Sequence, residues 1–268
     1  MNHHCAVTQS SPNFYYAMSL SFSIITCTWN SAAWLETCIA SVMVQEDVDV
    51  DMIFVDGGSQ DGSLELIRSL DRPYRLLENV RGGISHAMNR GLEIARGDVI
   101  AHLHSDDYYL HPKVLKIVRQ GLQDSGHDWA YGRIEQDIAG RREAEHFRAP
   151  DFSYARLLRR NFIPHPATFV RRALFERWQG FDTSLRYAMD YDLWLKFSSE
   201  SPPLQLNTPL AAFRVHQHSA SSSHPLAAMD EDFYVRLRHA SPSITQRGMH
   251  CLRYLYRRMH QQASGARA

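Results

Sequence analysis

Two hydrophobic rhythms alternate through the first half of the chain. Leu20 to Thr28 (LSFSIITCT) is a β-rich apolar run that stops at Trp29-Asn30-Ser31, and from Ala33 to Ile39 the apolar residues take up helical spacing. Val50 to Val55 reads as a second buried strand, ending in Asp56-Gly57-Gly58-Ser59-Gln60-Asp61-Gly62, and a helix begins near Ser63 with Leu64, Ile67 and Leu70 on one side. A short strand from Tyr74 to Leu77 leads through Gly82-Gly83 into a helix from Ile84 to Ala95, and Gly97 closes it before a strand from Asp98 to Leu103. Strand and helix alternating at this spacing predict a parallel sheet covered on both faces, with ligands at the carboxyl ends of its strands. Asp56 and the pair Asp106-Asp107 fall at such ends.

Beyond Pro112 the rhythm loosens. The pattern predicts a helix from Lys113 to Leu122, a strand near Trp129 to Ile134, a polar stretch of mixed charge from Glu135 to Arg148, and a short β-like piece from His165 to Val170. A helix over Leu174 to Trp178, a turn at Gly180-Phe181-Asp182 and a helix over Asp190 to Phe197 follow. There is no internal repeat beyond the alternation itself, and the one low-complexity cluster is Ser219 to Ser223.

Composition narrows the field mainly by exclusion. The 268 residues, 44% of them hydrophobic, suffice for a substantial core of one elaborated domain. Lysine plus arginine equals aspartate plus glutamate at 29 each, so no global field points to nucleic acid. No run approaches a membrane span, and the opening residues lack the charged-then-apolar order of a signal peptide, so a cytoplasmic location is expected. Cys5, Cys27, Cys38 and Cys251 show no metal-type pairing and read as reduced thiols, while His3, His4 and Cys5 read as a polar terminus rather than a metal site.

The adjacent carboxylates of HLHSDDYY, residues 102 to 109, repel one another, so they are either solvated in a turn or set against a cation. Their context favours the cation. FSIITCTWN, VDGGSQDGS, GGISHAMNRGLEIARGDVIAHLHSDD and GFDTSLRYAMDYDLWLKF occur in the order and spacing found in family 2 glycosyltransferases, and over roughly Leu20 to Ser222 the chain resembles that family's nucleotide-sugar domain. The resemblance implies a GT-A fold: a Rossmann-like α/β arrangement with a mixed, mainly parallel sheet flanked by helices, here with a C-terminal helical extension. The expected organisation is a flexible segment 1–19, a GT-A domain 20–225 and a basic extension 226–268. Within the domain, 20–112 is the nucleotide-sugar-binding half and 113–225 the acceptor half.

The activity so implied is transfer of a sugar from a nucleotide diphosphate, with a UDP-sugar the expected donor, to a glycan or lipid-linked acceptor, with inversion and with manganese or magnesium. Such chemistry requires a cation for the leaving diphosphate, a nucleotide pocket, and a base for the acceptor proton. The family pattern assigns Asp107 to the metal and Asp106 to the ribose. His216, in FRVHQHSASS, matches a histidine after the last core strand that can stand near the metal. Asp56 is assigned to the base or ribose, with Cys27 and Thr28 as further members of that wall. Gly57 stands where relatives often carry a second acid, which leaves the base identity open. Asp190 aligns with the catalytic base, and Asp192 stands close by. At a helix start Asp190 is also an N-cap candidate, a role that lowers a carboxylate's pKa. Met189 stands where many relatives carry an acid, so Asp190 is expected to lack that like-charged neighbour. His165 reads as support or acceptor-side lining, Trp178 and Trp194 as core, and Arg81 as a surface residue.

From Phe233 to Ala268 there is no acid but there are seven arginines, and Leu252, Leu255, Tyr256 and Met259 fall at i, i+3, i+4 and i+7. This is a basic amphipathic helix. It suits either an anionic membrane on the inner face, where a lipid-linked acceptor would be met, or packing on the catalytic domain, and the sequence leaves both open. Two other functions remain to be separated. A nucleotidyltransferase would carry a basic, glycine-rich loop near the first strand, and TCTWNSAAW has none. A non-catalytic nucleotide-sugar or glycan-binding module on the same fold would bind donor but not turn it over.

Overall fold

The computed structural model describes residues 20–144, 149–216 and 224–265. The readings of segment 1–19, with His3, His4 and Cys5, and of the cluster Ser219 to Ser223 lie outside the described residues. The first half follows the alternation closely: β1 (Phe22–Thr28), α1 (Ala32–Met43), β2 (Val50–Asp56), α2 (Ser63–Arg68), β3 (Arg75–Leu77), α3 (Ile84–Ile94) and β4 (Val99–His102). The remainder is β5 (Tyr108–Tyr109), α4 (Val114–Ser125), β6 (Trp129–Ile138), β7 (Arg141–Ala144), α5 (Tyr154–Leu157), β8 (Thr168–Arg171), α6 (Arg172–Trp178), α7 (Met189–Glu200), β9 (Leu204–Val215), α8 (Pro225–His239) and α9 (Ile244–Gly265).

The strands form one sheet in the order β3-β2-β1-β4-β8-β6-β9-β5, with β7 paired to β6. Pairing is parallel among β3, β2, β1 and β4, and between β6 and β9. β8 runs antiparallel to both β4 and β6, so the sheet is mixed and mainly parallel with helices on both faces, as the resemblance implied. Alternation along each central strand feeds two cores. Ile25, Ile53, Val55 and Ile100 point to one face, while Phe22, Ile24, Met52, Phe54, Val99 and Ala101 point to the other. Helix α3 can lie close on β1 because Gly91 has no side chain: a Cβ there would stand 2.5 Å from Ile25.

Two stretches differ from their sequence pattern. The polar stretch from Glu135 is not a loop over its described part, because β6 continues to Ile138, turns at Ala139-Gly140 with positive φ at both, and returns as β7. Its charges divide: β7 is exposed along its length, whereas Asp137 on β6 is buried and accepts from Tyr108 Oη and Arg214 Nε. The β-like piece from His165 begins as a 3-10 turn (His165–Ala167), with Pro166 removing a donor, before β8 starts at Thr168. β9 is the last core strand. Its alternation is broken at Asn207-Thr208-Pro209, where its register with β6 shifts.

Candidate active site

The carboxyl ends of β1 and β4 open on a cavity of about 900 Å³. The loop after β1 forms one wall and is laced to the loop after β2, which does not itself line the cavity. The Asn30 N–H donates to Ser59 Oγ at 2.9 Å, the Gln60 N–H to Asn30 Oδ1 at 2.9 Å, and the Ala32 N–H, at the start of α1, to Asp61 Oδ2 at 2.9 Å. Asp56 is the centre of this lacing. It is fully buried and accepts from Thr28 Oγ1 at 2.9 Å, Ser59 Oγ at 2.5 Å, and the N–H groups of Gly58 and Ser59 at 2.7 and 2.8 Å. Neither Asp56 nor Thr28 lines the cavity. Their bonds are spent on shaping the turn, which passes through Gly58 at φ +94° with Arg81 against it. Cys27 does line the cavity, and burial pushes its thiol up to about 12, so it contributes an uncharged surface.

On the floor, Asp106, Asp107 and His216 come together. His216 Nε2 stands 2.9 Å from Asp106 Oδ2, and the imidazole stacks on Trp34 at 4.3 Å. Asp107 is almost wholly buried and accepts the Arg214 N–H at 3.1 Å. Burial, then the neighbouring Asp106 charge, hold its carboxyl well above the usual range. The histidine is thus bonded to the first acid of the pair, while the second lies deeper. Among the described residues, no group of three His, Cys, Asp or Glu side chains is arranged to hold a metal by itself. Two carboxylates and an imidazole facing a cavity do suit a magnesium or manganese ion that takes its other ligands from a diphosphate and water. His104 and His165 stack at 4.9 Å along the same cavity, and burial lowers the pKa of both, so they present neutral rings.

Across the cavity stands the head of α7. Its N-cap is Ala188, whose side chain cannot cap, and Asp190 lies inside the first turn. The N-cap expectation with its lowered pKa is therefore corrected: Asp190 is pushed up to about 7, first by burial and, against the Tyr191 N–H, by the Asp232 carboxylate. Position 189 supplies no acid, as expected, but a like-charged group reaches Asp190 from Asp232 of α8. Asp192, two residues on, turns away. It is fully buried and ion-paired to Lys196 at 2.7 Å and to His239 of α8 at 2.7 Å. The donors leading into α7 are met from α8 as well: the N–H groups of Arg186, Tyr187 and Ala188 all reach the Glu231 carboxylate, the first at 2.9 Å and the last at 2.6 Å.

Several cavity residues escaped the sequence analysis. Trp29, Trp34, Tyr187, Asp232, Tyr254 and Arg257 all line it. Trp29 and Trp34 flank the end of β1, where ligand contacts were expected, and that position was the available signal. Asp232, Tyr254 and Arg257 come from the C-terminal helices, and nothing local links them to Asp190. Trp194 is core as expected, 2% exposed. Cys27, Cys38 and Cys251 are free thiols.

The sequence profile described as "Glycosyl transferase family 2" matches residues 23–178, more than half of the chain. The chain belongs to glycosyltransferase family 2. Among curated relatives of the family, chondroitin synthase of Pasteurella multocida (strain Pm70) is 30% identical over 192 residues, 69% of this chain but 20% of that protein, so the chain spans about a fifth of that relative's length. A PGL/p-HBAD biosynthesis glycosyltransferase of Mycobacterium bovis (strain BCG / Pasteur 1173P2) is 29% identical over 243 residues, covering 88% of this chain and 90% of its own. The fold matches residues 1–349 of S. aureus TarS in complex with UDP-GlcNAc, with a TM-score of 0.67 at 18% identity over 88% of this chain and 72% of that TarS fragment. It also matches the mannosyltransferase PcManGT from Pyrobaculum calidifontis in complex with GDP-Man and Mn2+, with a TM-score of 0.65 at 17% identity over 89% and 70%. These likenesses establish the GT-A fold of the family 2 chain. Among the described residues no helix is long and apolar enough to cross a membrane.

Proposed function

We infer that the protein is an inverting glycosyltransferase that moves a sugar from a nucleotide-diphosphate donor to a hydroxyl of a glycan or lipid-linked acceptor, in polysaccharide or glycolipid assembly at the cytoplasmic face of the membrane. One observation carries the reading: a single cavity brings a paired-acid floor, Asp106-Asp107 with His216, to face one partly buried carboxylate, Asp190, whose pKa of about 7 suits a general base.

In this reading the cavity holds the donor with its nucleotide against the loop after β1. Asp56 and Thr28 act by fixing that wall and Cys27 by lining it. Asp107 and His216 would hold the divalent ion, and Asp106, bonded to that histidine, stands at the ribose side. Bound there, the ion neutralises charge on the departing diphosphate. Asp190 takes the proton from the acceptor hydroxyl as the oxygen attacks the anomeric carbon. The displacement is single, so the configuration inverts. Because Asp192 is locked in ion pairs, it is not available as the base.

The test is a panel of UDP, GDP, CDP and dTDP, with and without manganese, read as thermal shift on wild type and Asp107→Ala. One nucleotide should raise the melting temperature in a manganese-dependent way, and Asp107→Ala should lose that shift while staying folded. A folded wild type that no nucleotide stabilises would remove the donor site and favour a scaffold. Donor binding without transfer by wild type would favour the binding module.

A further inference from the structure

Helix α9 faces the wrong way for a helix that covers a core. Its stripe of Leu252, Leu255, Tyr256 and Met259 is 53–69% exposed. Ile244 and Met249 extend the exposed apolar surface toward the helix start. The opposite face makes the contacts with α8: Tyr254 stacks on Phe233 at 4.1 Å, Tyr254 Oη donates to Asp230 at 2.6 Å, Arg258 pairs with Asp230 at 2.9 Å, and His250 is buried. The helix is therefore held by its polar and aromatic side, and of the two readings left open for the stripe, packing on the domain is not the one observed. A contiguous apolar surface left in water marks an interaction site.

Charge identifies what covers it. Arg247 and Arg253 are exposed on either side of the stripe, and no acid occurs from Phe233 onward. Residues 1–19 contain neither Asp nor Glu to answer those arginines, and a second copy packed stripe to stripe would set arginine against arginine. An anionic bilayer satisfies both features, taking the apolar side chains below its headgroups and the guanidinium groups among its phosphates. Tyr254 and Arg257, on the face of the same helix turned away from the stripe, line the cavity that holds Asp190, so the thickness of one helix separates the cavity from this surface.

We propose that α9 lies in the interface of an anionic lipid bilayer with the Leu252–Met259 stripe in its apolar layer, holding the cavity about one helix diameter from the membrane surface. Acceptor capture from the membrane rests on the transferase reading, but the lipid contact does not.

The experiment is flotation of the full chain with mixed phosphatidylcholine/phosphatidylglycerol vesicles and with phosphatidylcholine alone, beside the triple variant Leu252→Ser, Leu255→Ser, Met259→Ser. These positions are exposed, so the variant should keep its melting temperature and its nucleotide-induced shift. Wild type should float with the anionic vesicles, less so as salt is raised, and the variant's partition should fall about tenfold or more. Failure of wild type to float, equal flotation with uncharged vesicles, or undiminished flotation of the variant would each overturn the proposal. So would a wild-type dimer that ignores vesicles and that the variant dissociates. Nucleotide stabilisation without vesicle binding refutes the docking and leaves the transferase; vesicle binding without nucleotide stabilisation does the reverse.

Discussion

Asp190 and Asp192 stand two positions apart on α7 and meet different surroundings. Lys196 and His239 hold Asp192 as an anion inside the protein, whereas Asp190 keeps part of its surface on the cavity and faces Asp232. Replacing Asp190 by Asn should lower turnover about a hundred- to ten-thousandfold, the usual contribution of a positioned base, and leave nucleotide-induced stabilisation intact. The same substitution has a stability signature. A carboxyl raised from 3.8 to about 7 on folding binds its proton more tightly in the native state, so its contribution is fully present below the unfolded pKa and is lost as pH rises through 7. Asp190→Asn should therefore exceed wild type in stability at about pH 8 by on the order of 2 kcal/mol, a figure reduced for the solvent that still reaches the group, and the difference should vanish in acid. Asp232→Asn removes the charge that helps to raise Asp190. The acid limb of the kcat/KM profile should move to lower pH, and an unmoved limb would show that Asp232 does not act on the base.

At the scale of elements, the head of α7 is set by α8. Glu231→Ala leaves three N–H groups without their acceptor, more than an ordinary lost cap, and should cost about 2 kcal/mol, seen as a fall of roughly 4–8 °C in melting temperature. Transfer should fall with it, because Asp190 lies just inside the turn that Glu231 holds. This dependence was not legible in the sequence. β1, β2 and β4 and the helices between them were, because each carries its own period and each connects to a spatial neighbour. Those local signals also placed Asp56, Asp106 and Asp107 at strand ends. The side chains that act on Asp190 come from distant parts of the chain, Asn161 before it and Asp232 after it, and such single polar contacts leave no periodic trace. Composition likewise misread Glu135 to Ala144, since a hairpin with one exposed strand and a polar loop carry the same charges.

For the whole molecule, the C-terminal helices are part of the catalytic body. Val235 is fully buried in the core that also holds Trp194, and Arg236, almost wholly buried, pairs with Asp232 at 3.5 Å. A chain ending before Pro225 should retain manganese-dependent nucleotide stabilisation, because the loops after β1 and β2 and the Asp106-Asp107 floor all precede it. It should lose transfer at least about a hundredfold, since Glu231 and Asp232 are gone. Nucleotide binding and transfer measured side by side on that chain check both halves of the statement.

The Glu231 clasp also sets an order of events in time. Synthesis runs from the N-terminus, so the strands and loops that form the donor wall leave the ribosome early, with their partners close behind in the chain. The α7 segment emerges with its leading N–H groups unmet and waits until α8 follows. On the proposed reading, a nascent chain acquires its nucleotide pocket well before Asp190 is aligned, so an unfinished molecule would hold a donor without spending it.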